Sequence, residues 1–459
     1  MGKAESQERR TRLPDLETPG YLTDPWGDIL MRPWFDRVSL RWVGNWFLSL
    51  SRAWAVAIWA RGDADRFRSA LPEAEIPAAV LKRTLAYIDE RRADYAHAHE
   101  HWQAAVFAST APSDADLVEA ELARQRTVHA LSITRAAFLP WHLRQRIEGA
   151  KYRVPSVALV ERQQGDRLAA PEKAFPARPA DVETSHALAG PYGRVYWLRF
   201  QSPLGDTAWA RVYEPEKVDN PPTLVFLHGI SMEIESWKEQ SDAVNELACQ
   251  GIRVIRPEGP WHGRRRPDGQ WGGEPVIARA PLGQIELMQH WPAEAASLIA
   301  WARARGSAHV ALGGVSLGAL TSQLSASAAW QWPEACRPDT LFLVGTSADM
   351  LETGLEGGLA KLMNLPEELR AAGWDHESLS RLRPLLEPGE TPVVPAERIV
   401  MLLGSKDVVT PYGGGLELAR RWGVKRGNQF HRNRGHFSVY IALGQDRAPL
   451  QRLAELLRD

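Results

Sequence analysis

The chain has 459 residues, more than one compact domain of ordinary size requires, so a second domain or large insertions are expected. Its 55 Lys and Arg balance 56 Asp and Glu for a formal net charge of -1, which removes the electrostatic case for nucleic acid or a strongly anionic partner. Two cysteines, Cys249 and Cys336, exclude a disulfide framework and suit a reducing, cytoplasmic setting, while the charged stretch Met1 to Arg12 lacks the apolar core of a secretory signal and no apolar run is long enough to span a bilayer.

Residues 1 to about 150 show no strand pattern and read as an N-terminal helical domain. Met1-Gly2-Lys3-Ala4-Glu5-Ser6 fits a myristoylation pattern, but only two of its positions are constrained. From Pro33 to Arg61, Trp34, Val38, Trp42 and Trp46 recur at helical spacing among Arg37, Arg41, Arg52 and Arg61. Such a face suits the surface of a bilayer; packing onto the rest of the chain is the expected use of residues 33 to 61. A helix is predicted from about Pro77 to Ser109, with Leu81, Leu85, Ile88 and Tyr95 on its apolar side, and another after Ser113-Asp114-Ala115-Asp116, whose outline is that of a capping box. His97 and His101 share a face of the first, yet the order is not H-E-x-x-H and no distant ligands join them, so no metal is expected. The 19 tryptophans are abundant, and large rings of this kind mostly pack cores.

Residues 151 to 188, with Pro155, Pro171, Pro176 and Pro179 among charges, lack sustained periodicity and read as a linker. Residues 189 to 459 then alternate strand and helix, as a doubly wound, mostly parallel sheet requires. Arg194 to Phe200 and Thr207 to Tyr213 alternate on either side of a Pro/Gly turn and predict a β-hairpin. Thr223 to Leu227 is a buried strand closed by His228-Gly229-Ile230. A helix is predicted near Glu235 to Gln250, a strand over Ile252 to Arg256, and a helix over Glu294 to Arg305. Between the last two lies Trp261-His262-Gly263-Arg264-Arg265-Arg266, where Arg264 and Arg265 can fork onto a substrate carboxylate or phosphate, or else pair with acids such as Glu274 to pin the loop.

His309 to Leu320 reads as a short apolar strand, a glycine-flanked serine and the start of a helix. In Gly314-Val315-Ser316-Leu317-Gly318, a serine on so sharp a turn is strained, and the two glycines remove Cβ atoms that would collide. The helix N-terminus aims the Leu317 N–H at the site, and the Ile230 N–H is a second candidate oxyanion donor. Leu341 to Val344 is the next buried strand. Ile399 to Gly404 is another, ending in a turn with Asp407, and Gly435-His436-Phe437 lies 29 residues beyond that acid. Asp349 is a rival acid. His431 lacks the Gly-His-Phe setting.

The order Ser316, Asp407, His436 resembles that of the α/β-hydrolases, over about residues 190 to 459. The resemblance implies an α/β-hydrolase fold in which His262-Gly263 occupies the place of a common glycine turn and the hairpin is the antiparallel edge. The Gly-Arg-Arg stretch is similar to that of a little-characterised branch of the superfamily. The family usually inserts a lid where residues 347 to 397 lie; there Leu355, Leu359, Leu362 and Met363 repeat on one helical face, with Gly354, Gly357 and Gly358 as candidate hinges. The implied activity is cofactor-free hydrolysis of an ester, with a hydrophobic acyl part, by Ser316, His436 and Asp407. An acyltransferase using the same triad, or a non-catalytic binding protein on this scaffold, are the alternatives. The sequence leaves the oligomeric state and the role of residues 1 to 150 open.

Overall fold

The computed structural model of the chain describes residues 33–232 and 242–459. One mixed sheet of ten strands organises it: β1 (Glu183–Thr184), β2 (Leu188–Gly190), β3 (Gly193–Gln201), β4 (Thr207–Glu214), β5 (Thr223–Leu227), β6 (Arg253–Pro257), β7 (Val310–Val315), β8 (Thr340–Val344), β9 (Ile399–Gly404) and β10 (Gln429–Arg432). Their spatial order is β1-β3-β4-β6-β5-β7-β8-β9-β10, with β2 also paired to β3. The pairs up to β4–β6 are antiparallel, and those from β6 through β10 are parallel. The chain therefore reverses direction across the sheet between β5 and β7, where open sheets of this kind leave a crevice beyond the strand ends.

Continuous apolar runs form the central strands because both faces are covered. Successive side chains point to opposite faces, so Val225, Leu227, Leu312, Leu341, Leu343 and Met401 enter one core. Leu224, Phe226, Ala311, Val315, Phe342 and Leu402 enter the other.

No strand occurs among the described residues before Glu183. Helix α1 (Pro33–Trp42) continues through a π-helical turn, Val43–Phe47, into α2 (Leu48–Ala60), followed by α3 (Ala64–Ala70), α4 (Ala78–Val106), α5 (Asp114–Ile133) and α6 (Leu139–Gln145). The Ser113 hydroxyl accepts from the Asp116 N–H at the start of α5. These helices have a core of their own around Trp54, Phe67, Leu81, Leu85, Ile88 and Phe138. They do not stand apart from the sheet: Trp102, Val106, Leu117 and Val118, at the far end of the α4–α5 pair, belong to the same cluster as Trp197 and Tyr213 of the hairpin.

The packing expected of residues 33 to 61 holds for α2, which is largely buried, and for Trp46, which lies edge-on to His142, but not for the start of the stripe. Trp34, Val38 and Trp42 are 43%, 58% and 54% exposed, and α1 instead turns Asp36 and Leu40 inward. His97 and His101 are exposed, while His99 stacks on Tyr95 and Trp102. Among the described residues, no helix is long and apolar enough to cross a membrane.

Residues 151 to 188 are more than a linker. They hold α7 (Val157–Ala169) and the edge strand β1, and β2 begins at their last residue. Only Val160 and Gln164 of α7 are buried, a stripe too thin to produce a readable period. The helix near 235–250 falls partly outside the described residues; its described remainder is a 3-10 turn, Asn245–Gln250. The short α8 (Glu274–Ala278) precedes α9 (Leu282–Ala304), which begins well before the expected Glu294, and α10 (Leu317–Ala328) follows β7. Beyond β8 come α11 (Met350–Leu355), α12 (Gly358–Leu362), α13 (Leu365–Ala371) and α14 (His376–Ser380); then α15 (Tyr412–Arg421), α16 (His436–Ile441) and α17 (Ala448–Arg458) complete the chain.

Candidate active site

Strand β7 runs straight into Ser316, whose backbone sits at φ 55, ψ -121, a region costly for any residue with a side chain. The neighbours hold it there. The Ser316 N–H donates to the Val344 carbonyl at 3.0 Å, and its own carbonyl accepts from the Leu320 N–H at 2.9 Å. Close approach explains the flanking glycines: a Cβ on Gly314 would lie 2.4 Å from the Gly318 backbone, and one on Gly318 would lie 2.3 Å from the Leu227 carbonyl.

The three residues that the sequence separates by up to 120 positions meet here. The Ser316 hydroxyl lies 2.9 Å from His436 Nε2, and His436 Nδ1 lies 2.7 Å from Asp407 Oδ2. All three side chains are buried. Asp407 is itself oriented: Oδ1 accepts from the N–H groups of Val409 and Thr410, and Oδ2 accepts from the Thr410 hydroxyl at 2.9 Å. Burial pulls the His436 pKa down, but the Asp407 carboxylate and, further off, that of Asp36 outweigh it and raise the value above the ordinary histidine range. Asp349 is engaged elsewhere, capping α11 through the Glu352 N–H and pairing with Arg383 at 3.1 Å. His431 contacts the Tyr412 hydroxyl at an exposed position.

Leu317 is the first residue of α10, and the loop carrying Ile230 runs beside the serine, since a Cβ on Gly229 would lie 3.4 Å from the Ser316 Cβ. Two buried histidines bolt that loop to the one after β6. His228 Nε2 accepts from the Gly259 N–H at 2.9 Å while its Nδ1 faces the Gly229 carbonyl at 2.7 Å. His262 Nε2 accepts from the Ser231 N–H at 3.3 Å while its Nδ1 faces the Pro260 carbonyl at 2.8 Å. An accepting Nε2 requires the neutral ring. Burial accordingly pushes the His228 pKa well below its ordinary value.

The unfolded chain binds this proton below about pH 6.5 and the folded chain does not, so folding stability falls as pH drops through that value. His228→Gln should therefore show a shallower loss of denaturation midpoint between about pH 7 and pH 5 than the parent. An equal slope would mean that His228 is not held neutral by the fold.

The anion-contact reading of Arg264 and Arg265 is overturned, because internal groups occupy both guanidinium forks. Arg265 is buried and donates to Asp206 at 2.8 and 2.9 Å and to Glu294 at 2.8 and 2.7 Å. Arg264 pairs with Glu258 and lies over the rings of Trp102 and Trp209. Arg266 lies over Trp54. The three arginines thus fasten the loop to the hairpin, α9, α4 and α2. Glu274, the partner expected from sequence, instead accepts from the N–H groups of Lys151 and Trp271.

The single apolar helix expected in the lid is broken into α11 and α12. Gly357 and Gly358 permit close approach here: Cβ atoms would meet the Val409 carbonyl at 2.7 Å and Leu40 at 2.8 Å. Leu359 and Met363 join Leu48, Trp271, Ile277 and Ala278 in a small apolar cluster against which Ile230 packs. Beside it, a cavity of about 340 Å³ opens between the π-helical turn, residues 142–152 and Leu362–Glu368.

A parallel sheet reversing at β5/β7, a serine on the turn after β7 and an acid and a histidine from the loops after β9 and β10 give the chain the α/β-hydrolase fold. A family model described as alpha/beta hydrolase domain containing 18 matches residues 204–348, a span that includes Ile230, the arginine loop and Ser316 and stops before Asp407. No curated protein matches in sequence. Similar solved structures include acetyl xylan esterase 1 from Thermoanaerobacterium sp. JW/SL YS485, 15% identical with a TM-score of 0.46 over 67% of this chain and 96% of that one. An esterase from Pyrobaculum calidifontis is 16% identical with a TM-score of 0.37, over 66% and 93%.

Proposed function

We propose that the chain is a serine hydrolase that cleaves a carboxylic ester carrying an apolar acyl group. The observation that supports this is the continuous hydrogen-bonded line from the Ser316 hydroxyl through His436 to Asp407. His436 Nε2 takes the serine proton as Oγ bonds to the ester carbonyl carbon. The N–H groups of Leu317 and Ile230 receive the resulting oxyanion. His436 then gives its proton to the departing alkoxide, leaving an acyl-Ser316. Water repeats the sequence, its proton going to Nε2, and releases the acid. Asp407 keeps the Nδ1 proton in place and stabilises the imidazolium. The apolar cluster of Trp271, Ile277, Leu359 and Met363 against Ile230 favours an acyl chain next to the oxyanion position.

The test exposes the purified chain and its Ser316→Ala variant to a fluorophosphonate probe and to p-nitrophenyl esters of increasing chain length. Labelling and turnover confined to the parent, with kcat/KM rising over the first several carbons, are the expected results. A folded parent that neither labels nor turns over would leave the scaffold as a binding protein.

A further inference from the structure

The active-site histidine is held by a residue some four hundred positions away. Asp36, on α1, is buried, and its carboxylate reaches the turn that opens α16. Oδ1 accepts from the N–H groups of Phe437 at 2.7 Å and Ser438 at 3.0 Å. Oδ2 accepts from the Gly435 N–H at 3.1 Å and from the Ser438 hydroxyl. The same hydroxyl accepts from the Gly435 N–H at 3.1 Å, which ties the turn to itself as well as to α1. The backbone on both sides of His436 is thereby fixed from one carboxylate. The fit is close: a Cβ on residue 435 would lie 2.5 Å from the Asp36 Cγ, so the turn receives this acid because residue 435 is glycine. Leu40, one turn along α1, lies against Gly358 of α12, so the helix wedges between the lid region and the histidine.

We infer that Asp36 is a positioning residue of this site, its carboxylate holding residues 435–438 so that His436 presents Nε2 to Ser316. The inference rests on the hydrolase reading above. It adds that α1, outside the segment carrying Ser316, Asp407 and His436, is part of the working site. An acid at a turn can be a cap and nothing more, and the pH dependence of the reaction separates the two roles. Among the described residues, the charged side chains acting on His436 are Asp407, from the loop after β9, and Asp36, from α1; both favour the imidazolium. The hydroxyls of Thr410, at 3.2 Å from Nδ1, and of Ser316 complete its polar surroundings. The base must be neutral to act, so activity rises with pH through the His436 pKa. Removing the Asp36 charge lowers that pKa and moves the acid limb of the kcat/KM profile to lower pH.

The experiment compares the full-length parent with Asp36→Asn, Asp36→Ala and Gly435→Ala, using a p-nitrophenyl ester, fluorophosphonate labelling and a thermal melt. The expected result is a loss in kcat of about tenfold to a hundredfold with KM within about twofold, as for a misplaced catalytic group. The acid limb shifts to lower pH in both Asp36 variants. Gly435→Ala, which displaces the carboxylate while keeping the Ser316, Asp407 and His436 side chains, should reproduce the kcat loss and serve if the Asp36 variants fail to fold. Unchanged kcat and an unmoved acid limb, with Ser316 still labelled, would overturn the inference and leave the hydrolase reading standing. A kcat loss that only tracks a lowered melting temperature, with the limb unmoved, would make Asp36 a cap and overturn it too. A folded parent without labelling or turnover would instead sink the hydrolase reading.

Discussion

Asp407→Asn is expected to lower kcat about 10⁴-fold while leaving the fold intact. The reason lies in which oxygen does what. Oδ1 of Asp407 accepts two backbone N–H groups, from Val409 and Thr410, so in the variant the amide oxygen must take that position. The amide NH₂ then faces His436 Nδ1, where Oδ2 stood at 2.7 Å. Nδ1 can only accept from it, and the ring proton moves to Nε2, the atom that must receive the Ser316 proton. The variant thus holds the wrong tautomer in the right place. Steady-state kinetics with an activated ester, alongside circular dichroism, checks this. A loss of less than about tenfold would show that the working acid is another residue, with Asp349 the first to examine.

The second large effect concerns stability. Arg265→Ala should destabilise the fold by about 3–5 kcal/mol, the usual consequence of leaving a buried charge without its partner. The Arg265 and Glu294 side chains are each 1% exposed, so the stranded Glu294 carboxylate has no water to turn to. Asp206 is 35% exposed and recovers part of its hydration, so Glu294 dominates the loss. The comparison that isolates the pair is Arg265→Met with Glu294→Leu, which removes both charges and should recover most of the denaturation midpoint lost in the single variant. If Arg265→Ala shifts the midpoint by less than the equivalent of about 1 kcal/mol, these guanidinium contacts do not hold the loop as the geometry indicates.

Local chemistry made the central site readable. Gly314, Ser316 and Gly318 are forced together by one turn, and Asp407 follows the apolar strand β9, while His436 is marked by its Gly-His-Phe setting after the polar strand β10. The strands β5, β7, β8 and β9 read as apolar runs, for the same reason that they are buried on both faces. Residues whose purpose is set by distant partners were not legible. Asp36 sits in a helix whose Trp and Arg spacing draws attention to the opposite face, and its four hydrogen bonds all go to residues 435–438. Arg265 looked like an anion fork because guanidinium geometry is the same for a substrate carboxylate as for Asp206 and Glu294. The period of Leu355, Leu359, Leu362 and Met363 ran across Gly357, where the chain breaks between α11 and α12 to let the backbone meet residues 408 and 409.

The contact between Asp36 and residues 435–438 spans 399 to 402 positions of sequence. Closing a separation of that length costs conformational entropy before the contact stabilises anything. During synthesis the helix bearing Asp36 leaves the ribosome hundreds of residues ahead of the turn it will grip, and Ser316 emerges 120 residues before His436. The strands through β8 and the strained serine therefore precede the turn at residues 435–438 by about ninety residues or more. On the hydrolase reading proposed above, reactivity would have to wait for those two distant segments to meet.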